Sequence, residues 1–176
     1  MTKKSLLKNK DNDFIEEWAT VMQAPFGKLG VRTSFTEGSL FISEVLYISQ
    51  LEPLISPKNE LAQSFCDQAE SYFMDPNFQF HLPMLLRGTV FQRKVWDLID
   101  SIPVGQVKTY GHVAQELGSG PRAVGGACGA NPYPLIVPCH RVVAQSGIGG
   151  FAQEDEQGYH RNIKTWLLKH EGLSFD

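Results

Sequence analysis

The run Leu135-Ile136-Val137-Pro138-Cys139-His140-Arg141-Val142-Val143 constrains this chain more tightly than any other stretch. Its β-branched residues favour extended, half-buried backbone. Pro138 has no N–H to give a ladder, so a strand arriving from Leu135 must stop or bend there. A thiol, an imidazole and a guanidinium follow at the edge of that apolar platform. An ordinary cysteine has a pKa of roughly 8.5 and is only a few per cent thiolate near neutral pH. Cys139 therefore needs a base to act as a nucleophile, and His140 is the adjacent candidate. The competing reading is a buried, inert cysteine, the commonest fate of a lone one. Adjacency alone leaves both open.

A chain of 176 residues can bury a real core, as one domain or as two small ones. With 42% hydrophobic and 20% charged residues it reads as a soluble globular protein. Its longest apolar run falls far short of the roughly 20 residues that span a membrane. The opening Met1–Lys8 has positive charge without a sustained apolar stretch, which predicts no signal peptide. Cys66, Cys128 and Cys139 form neither an even disulfide framework nor a close metal pair. They predict a reducing, cytoplasmic setting. The net charge of −3 argues against a highly basic nucleic-acid binder, yet it is uneven: 87–141 carries six basic against three acidic residues. A modest positive surface around the Cys-His run is compatible with a phosphate backbone.

Residues 1–13 are polar and lysine-rich and read as a loosely held tail. Strand-like runs follow at Gly30–Phe35, Leu40–Ile42 and Val45–Ile48, with Gly27, Gly30 and Gly38 where hairpin turns would fall. Ser56-Pro57 has the form of a helix start. Leu61, Phe65, Ala69, Tyr72 and Phe73 continue it as a core-facing stripe. The stretch Leu85–Gly88 reads as a linker, dividing the chain into 1–84 and 85–176.

The second half is richer in helix signals. Thr89 and Gln92 make a capping box before Phe91, Val95 and Leu98. Ile102-Pro103-Val104-Gly105 ends that helix. Thr109 caps another, and the turn Gly118-Ser119-Gly120-Pro121 leads into Arg122–Ala130, together a helix-turn-helix. Three glycines stand within five residues of that second helix, although each costs about 1 kcal/mol relative to alanine. Small side chains let a backbone lie flush, either against an external partner or against another helix of the protein. Tyr159, Ile163, Trp166 and Leu167 form a closing helix with Gly172 at its C-cap. Glu171 sits at the end where the helix dipole disfavours an acid, so a partner is expected for it, with His140 the candidate.

Taken together, Gly88–Trp96, Ile102–Gly105, Thr109-Tyr110, Arg122–Gly125, Asn131-Pro132, Ile136–Val142 and Lys164–Gly172 resemble, in order, the motifs of the DNA O6-alkylguanine alkyltransferases. The resemblance is close over about 85–176 and weaker before it. It implies an α+β protein: an N-terminal ribonuclease H-like strand-and-helix support domain, then a mostly helical winged-helix catalytic domain. The activity it implies is direct-reversal DNA repair. An alkyl group passes from O6 of guanine, with O4 of thymine left open, to the protein's own Cys139, irreversibly and once per molecule. His140, acting through a water and backed by Glu171, would draw off the thiol proton. Asn131 would hold the turn. Tyr110 would help rotate the nucleotide out and donate a proton to the departing base. Arg122 would fill the gap in the stack, since extruding a base costs a few kcal/mol. Ala123, Gly125, Gly126 and Ala127 would lie in the minor groove of double-stranded DNA. Val142, Phe151 and Cys128 would line the lesion pocket.

The same resemblance implies a monomer, no cofactor and no membrane association, with cooperative assembly along DNA left open. Some relatives hold zinc in the N-terminal domain, but this half has only Cys66 and His81, so no metal is expected. Two departures matter. Only eleven residues separate Tyr110 from Arg122, about two fewer than is usual. Beyond the active-site run, Gly150-Phe151-Ala152-Gln153 lacks a tyrosine hydroxyl, and Glu154–Gly158 adds three acids. Two rivals stand beside this reading: a lesion-binding module without transfer, whose relatives replace the cysteine, and a cysteine hydrolase, which usually draws its histidine from elsewhere in the chain.

Overall fold

The computed structural model describes residues 6–8, 14–149 and 158–175. These form two compact units. One comprises the described residues up to Ala69 with His81–Leu85; the other comprises Glu70–Phe80 and the described residues from Leu86 onward. The chain therefore crosses between units at three places, whereas the sequence suggests a single division after residue 84.

The first unit is built on an antiparallel meander of β3 (Thr20–Ala24), β4 (Gly27–Thr36) and β5 (Ser39–Ile48). A two-residue turn joins β4 to β5, and both Glu37 (φ 51) and Gly38 (φ 78) have the positive φ that a type I′ hairpin requires. Gly30, expected in a turn, lies instead in the middle of β4. A Cβ there would come within 2.7 Å of the Trp18 ring, so the indole occupies the place of the missing side chain. The Arg32 guanidinium lies 3.6 Å from the centroid of the same indole. Ile55 bridges to Val21 and Met84 to Ile42, so both flanks of the sheet are covered. A strand pair precedes the meander, β1 (Leu6–Lys8) with β2 (Phe14–Glu16), and β1 lies within the 1–13 stretch that the sequence suggests is a loose tail.

Helix α1 runs from Glu60 to Met74, starting later than Ser56-Pro57 implies. Asn59 explains the shift: its Oδ1 accepts the Ala62 N–H at 2.9 Å, which a proline ring cannot do. Its Nδ2 also donates to Thr33 Oγ1 at 2.9 Å, tying the helix start to β4. The apolar stripe behaves as core, with Phe65 and Ala69 fully buried.

In the second unit α2 (Val90–Asp100) carries the expected capping box between Thr89 and Gln92. Helix α3 (Tyr110–Glu116) begins at the Thr109 cap, and α4 (Pro121–Gly129) starts with Pro121 in its first turn. α4 packs against both α2 and α3. The Trp96 indole N–H donates to the Ala127 carbonyl at 2.8 Å, locking α2 to α4. Gly88 has φ +90, and a Cβ there would stand 2.4 Å from the Trp96 ring, which accounts for a glycine before the cap. Strands β6 (Lys108–Thr109) and β7 (Val142–Val143) pair in parallel. α5 (Tyr159–His170) closes the unit, with Glu171 at its C-cap and Gly172 at φ +88. Among the described residues no helix is long and apolar enough to cross a membrane.

Candidate active site

The apolar run before Cys139 does not form the expected strand. Asn131 accounts for this: its Oδ1 accepts the Tyr133 N–H at 2.9 Å and its Nδ2 donates to the Val137 carbonyl at 3.1 Å. Held at both ends, the chain turns back on itself, with Leu135 at φ +75 and Val137 N–H bonded to the Tyr133 carbonyl. Pro138 then bends it again. Its φ −82, ψ 64 and the Cys139 N–H···O=C bond to Val137 (2.8 Å) describe an inverse γ-turn. Cys139 opens a 3₁₀ turn, Cys139–Arg141, which packs against α2 and α5 and leads into β7.

Cys139, His140, Asn131 and Glu171 are all buried. Asn131 Nδ2 also donates to Cys139 Sγ at 3.1 Å. The Cys128 thiol, which shares hydrogen bonding with Cys139, and then burial push Cys139 well above the ordinary thiol value; the Asn131 amide and the Lys164 ammonium pull against them. Cys128, half-buried on α4, is shifted down, chiefly by that hydrogen bonding. Burial and the neighbouring thiol thus favour the protonated form of Cys139.

The next residue in the chain, His140, is tied to a carboxylate. His140 Nε2 lies 2.8 Å from Glu171 Oε1. Burial holds the imidazole below its usual pKa, against the pull of Glu171. Burial also pushes the Glu171 carboxyl up, but hydrogen bonds and charge from His140 and Arg141 outweigh it and bring it down to about 2. An ionised carboxylate only accepts, so in the neutral imidazole the proton sits on Nε2 and Nδ1 keeps its lone pair. Nδ1 is buried and has no hydrogen-bond partner among the described residues.

Three residues with no role in the sequence reading complete this arrangement. Arg141 clamps Glu171 with Nε on Oε2 (3.0 Å) and Nη2 on Oε1 (2.9 Å), and its Nη1 reaches the Ile102 carbonyl at 2.6 Å. Tyr72 donates its hydroxyl to Glu171 Oε1 at 2.8 Å. Lys164 is fully buried, donates to the Val142 carbonyl at 2.7 Å, and lies 5.7 Å from the centre of the Tyr110 ring. Burial pulls its pKa down to about 8 despite the nearby thiols. The available signals were polar groups inside apolar helical stripes: Lys164 beside Ile163, and a tyrosine where phenylalanine would serve for packing.

Tyr110, the first residue of α3, is half-buried. Gly149 (φ +74) sits against its ring, where a Cβ would come within 3.3 Å of Cε2. Burial first, and then any negative charge on Cys128 and Cys139, raises the Tyr110 pKa above its ordinary value. Val142 is fully buried in β7. On α4, Arg122, Ala123 and Gly126 are exposed and Gly125 is half-exposed. A Cβ added at Gly125, Gly126 or Gly129 would meet nothing within 4 Å, so these glycines do not serve tight packing within the protein. Ala127 departs from expectation: it is buried and its carbonyl is taken by Trp96, which puts it on the inner side of the helix. Phe151 and the acidic loop after it lie outside the described residues.

A buried thiol beside a His–Glu pair, with a short two-helix turn carrying an open glycine face, defines a cysteine-centred protein of the kind that comparison with known proteins identifies. A family model described as "6-O-methylguanine DNA methyltransferase, DNA binding domain" matches residues 90–173. The probable methylated-DNA–protein-cysteine methyltransferase of Acanthamoeba polyphaga mimivirus is 39% identical over 150 residues, covering 82% of this chain and 91% of its own. The constitutive enzyme of that name from Bacillus subtilis is 31% identical over 163 residues, covering 89% and 96%. Among solved structures, Mycobacterium tuberculosis OGT in complex with DNA superposes with a TM-score of 0.69 at 32% identity, covering 86% of this chain and 90% of that one. The chain belongs to the methylated-DNA–protein-cysteine methyltransferase family, enzymes of direct-reversal DNA repair.

Proposed function

We propose that Cys139 accepts the alkyl group of O6-alkylguanine in duplex DNA, once and irreversibly, with His140 as its base. The observation that carries this most is the imidazole itself. Its Nε2 is committed to Glu171 and its Nδ1 lone pair is buried without a partner among the described residues, one residue from a thiol whose protonated form is favoured. In the proposed step the thiol proton passes through a water to Nδ1. Sγ then bonds to the alkyl carbon as the carbon–O6 bond breaks, and the guanine leaves with the bond's electrons. Tyr110, a phenol that is protonated at neutral pH, donates a proton to the departing base. Asn131 steadies the developing thiolate through its amide.

DNA is proposed to lie with its minor groove on α4, where Ala123, Gly125 and Gly126 offer a low surface. Arg122 would enter the stack in place of the extruded nucleotide. Cys128 and Val142 border the thiol side of the lesion pocket. In this reading the second unit is a winged-helix catalytic domain acting as a monomer, and the first is a ribonuclease H-like support.

The test is mass spectrometry after incubation with duplex DNA carrying O6-methylguanine. One methyl group should appear on the Cys139 peptide, and methyl removal should level off at the molar amount of protein. Bound DNA with unmodified protein would point to lesion recognition alone. Methyl removal by Cys139→Ala would refute the assignment.

A further inference from the structure

Glu171 receives four donated hydrogen bonds. Three come from His140 and Arg141, adjacent in the active-site turn. The fourth comes from Tyr72, 99 residues away in sequence, near the end of α1. A buried tyrosine hydroxyl must find a partner, and in a core stripe the usual solution is a carbonyl or water. Here it goes to the carboxylate that holds the base.

Tyr72 is also fixed from several sides. Its side chain is almost wholly buried, and its own carbonyl faces His170 Nε2 at 2.7 Å. Its ring meets His170 edge-on at 5.2 Å and contacts Phe73 and Phe80 at 6.0 and 5.8 Å. His170 is in turn stacked on Trp166 at 4.8 Å. The hydroxyl is therefore placed by the aromatic cluster and delivered to one oxygen, the one that also faces His140 Nε2.

We propose that Tyr72 is a positioning residue of the alkyl-transfer site, holding Glu171 Oε1 in place and taking up part of the negative charge that otherwise falls on His140. This rests on the relay reading above. The groups facing His140 are Glu171, Arg141 and Lys164, and those facing Glu171 are Tyr72, His140 and Arg141. Asp100 interacts electrostatically with Arg141. Without the phenol, Oε1 is left to His140 and Arg141, and the carboxylate stabilises imidazolium more strongly. The base is then available only at higher pH.

The experiment follows single-turnover methyl transfer from O6-methylguanine duplex DNA to the full chain across roughly pH 5 to 8, alongside the NMR titration of His140. Tyr72→Phe keeps the ring and removes the donor. The acid limb of the rate and the His140 titration should both move up by about half a pH unit, a loss of about threefold in rate on that limb. Replacing Tyr72 with a fluorinated tyrosine, a stronger donor, should move both the other way. If Tyr72→Phe lowers the melting temperature but leaves both curves in place, the hydroxyl is structural and the proposal fails. If the wild-type rate does not follow His140 at all, the relay reading fails and takes this inference with it. A wild-type rate that follows His140, with no response to either change at Tyr72, sinks this inference alone.

Discussion

At the scale of single residues, Glu171 is the unusual one. An acid at a helix C-terminus opposes the helix dipole, yet this one is buried and ionised, because Arg141, His140 and Tyr72 surround it with donors. Breaking a buried pair by removing one partner costs more than the pair contributes, since the remaining charge is left uncompensated. Arg141→Met should therefore destabilise the protein by about 3–5 kcal/mol in urea unfolding. Arg141→Lys should recover only part of that, because an ammonium cannot reproduce the two-pronged contact with the carboxylate. Equal stability of wild type and Arg141→Met would mean the clamp is ornamental. Asn131→Ala makes a second case. It strips the Tyr133 N–H, the Val137 carbonyl and the Cys139 thiol of one partner at once. A loss of about 2 kcal/mol or more is expected from the buried groups left unsatisfied. Methyl transfer should also slow, because the amide that lowers the Cys139 pKa is gone. An unchanged transfer rate in a correctly folded variant would limit Asn131 to holding the turn.

At the scale of elements, α4 sets stability against surface shape. Its exposed glycines have open space beside them, so larger side chains are accommodated by the protein itself. Gly126→Leu should raise the unfolding free energy by about 0.5–1 kcal/mol through helix propensity. The same change should sharply reduce transfer from duplex DNA while sparing transfer from a free O6-alkylated guanine base. Arg122→Ala should show the same selectivity without the gain in stability. Equal losses on both substrates would count against a groove-facing helix. The helices of this half were legible because each carries its own punctuation: Thr89 with Gln92, Thr109, Pro121 and Gly172. The earlier strands were harder. Thr20–Ala24 is buried at four of its five positions, so it lacks the alternation that marks a half-exposed strand. Gly30 imitates a turn residue, and only the position of Trp18 reveals why no side chain stands there. In the site, Asn131 meets Cys139 and Glu171 meets His140, pairs that lie far enough apart in the chain for only the resemblance, and for Glu171 its unfavourable place at a helix end, to link them beforehand. Tyr72 and Lys164 stayed hidden because a polar head at the end of an apolar stem fits a core stripe without announcing its partner.

At the scale of the whole molecule, the site's chemistry and the protein's acid stability are linked through the same two groups. Glu171 has a folded pKa of about 2 against an ordinary 4.5. The folded state therefore binds fewer protons than the unfolded one between those values. The stability this contributes is complete above pH 4.5 and is lost as pH falls toward 2. His140 is also held below its ordinary 6.5, here by burial of a neutral ring. Its contribution is complete above 6.5 and begins to fall below that value, in the same direction. Stability should thus decline in two stages on acidification, the first starting near neutrality and the second below pH 4.5. Urea unfolding at a series of pH values reads both. Glu171→Gln removes the second titration, so its curve should flatten below pH 4.5 although the variant is weaker at pH 7. It also withdraws the carboxylate that favours imidazolium, which extends the His140 stage to lower pH while its onset, set by the unfolded chain, stays near 6.5. If Glu171→Gln retains the full slope below pH 4.5, other carboxylates control the acid limb. The buried Glu171 charge would then matter to the reaction but not to the fold.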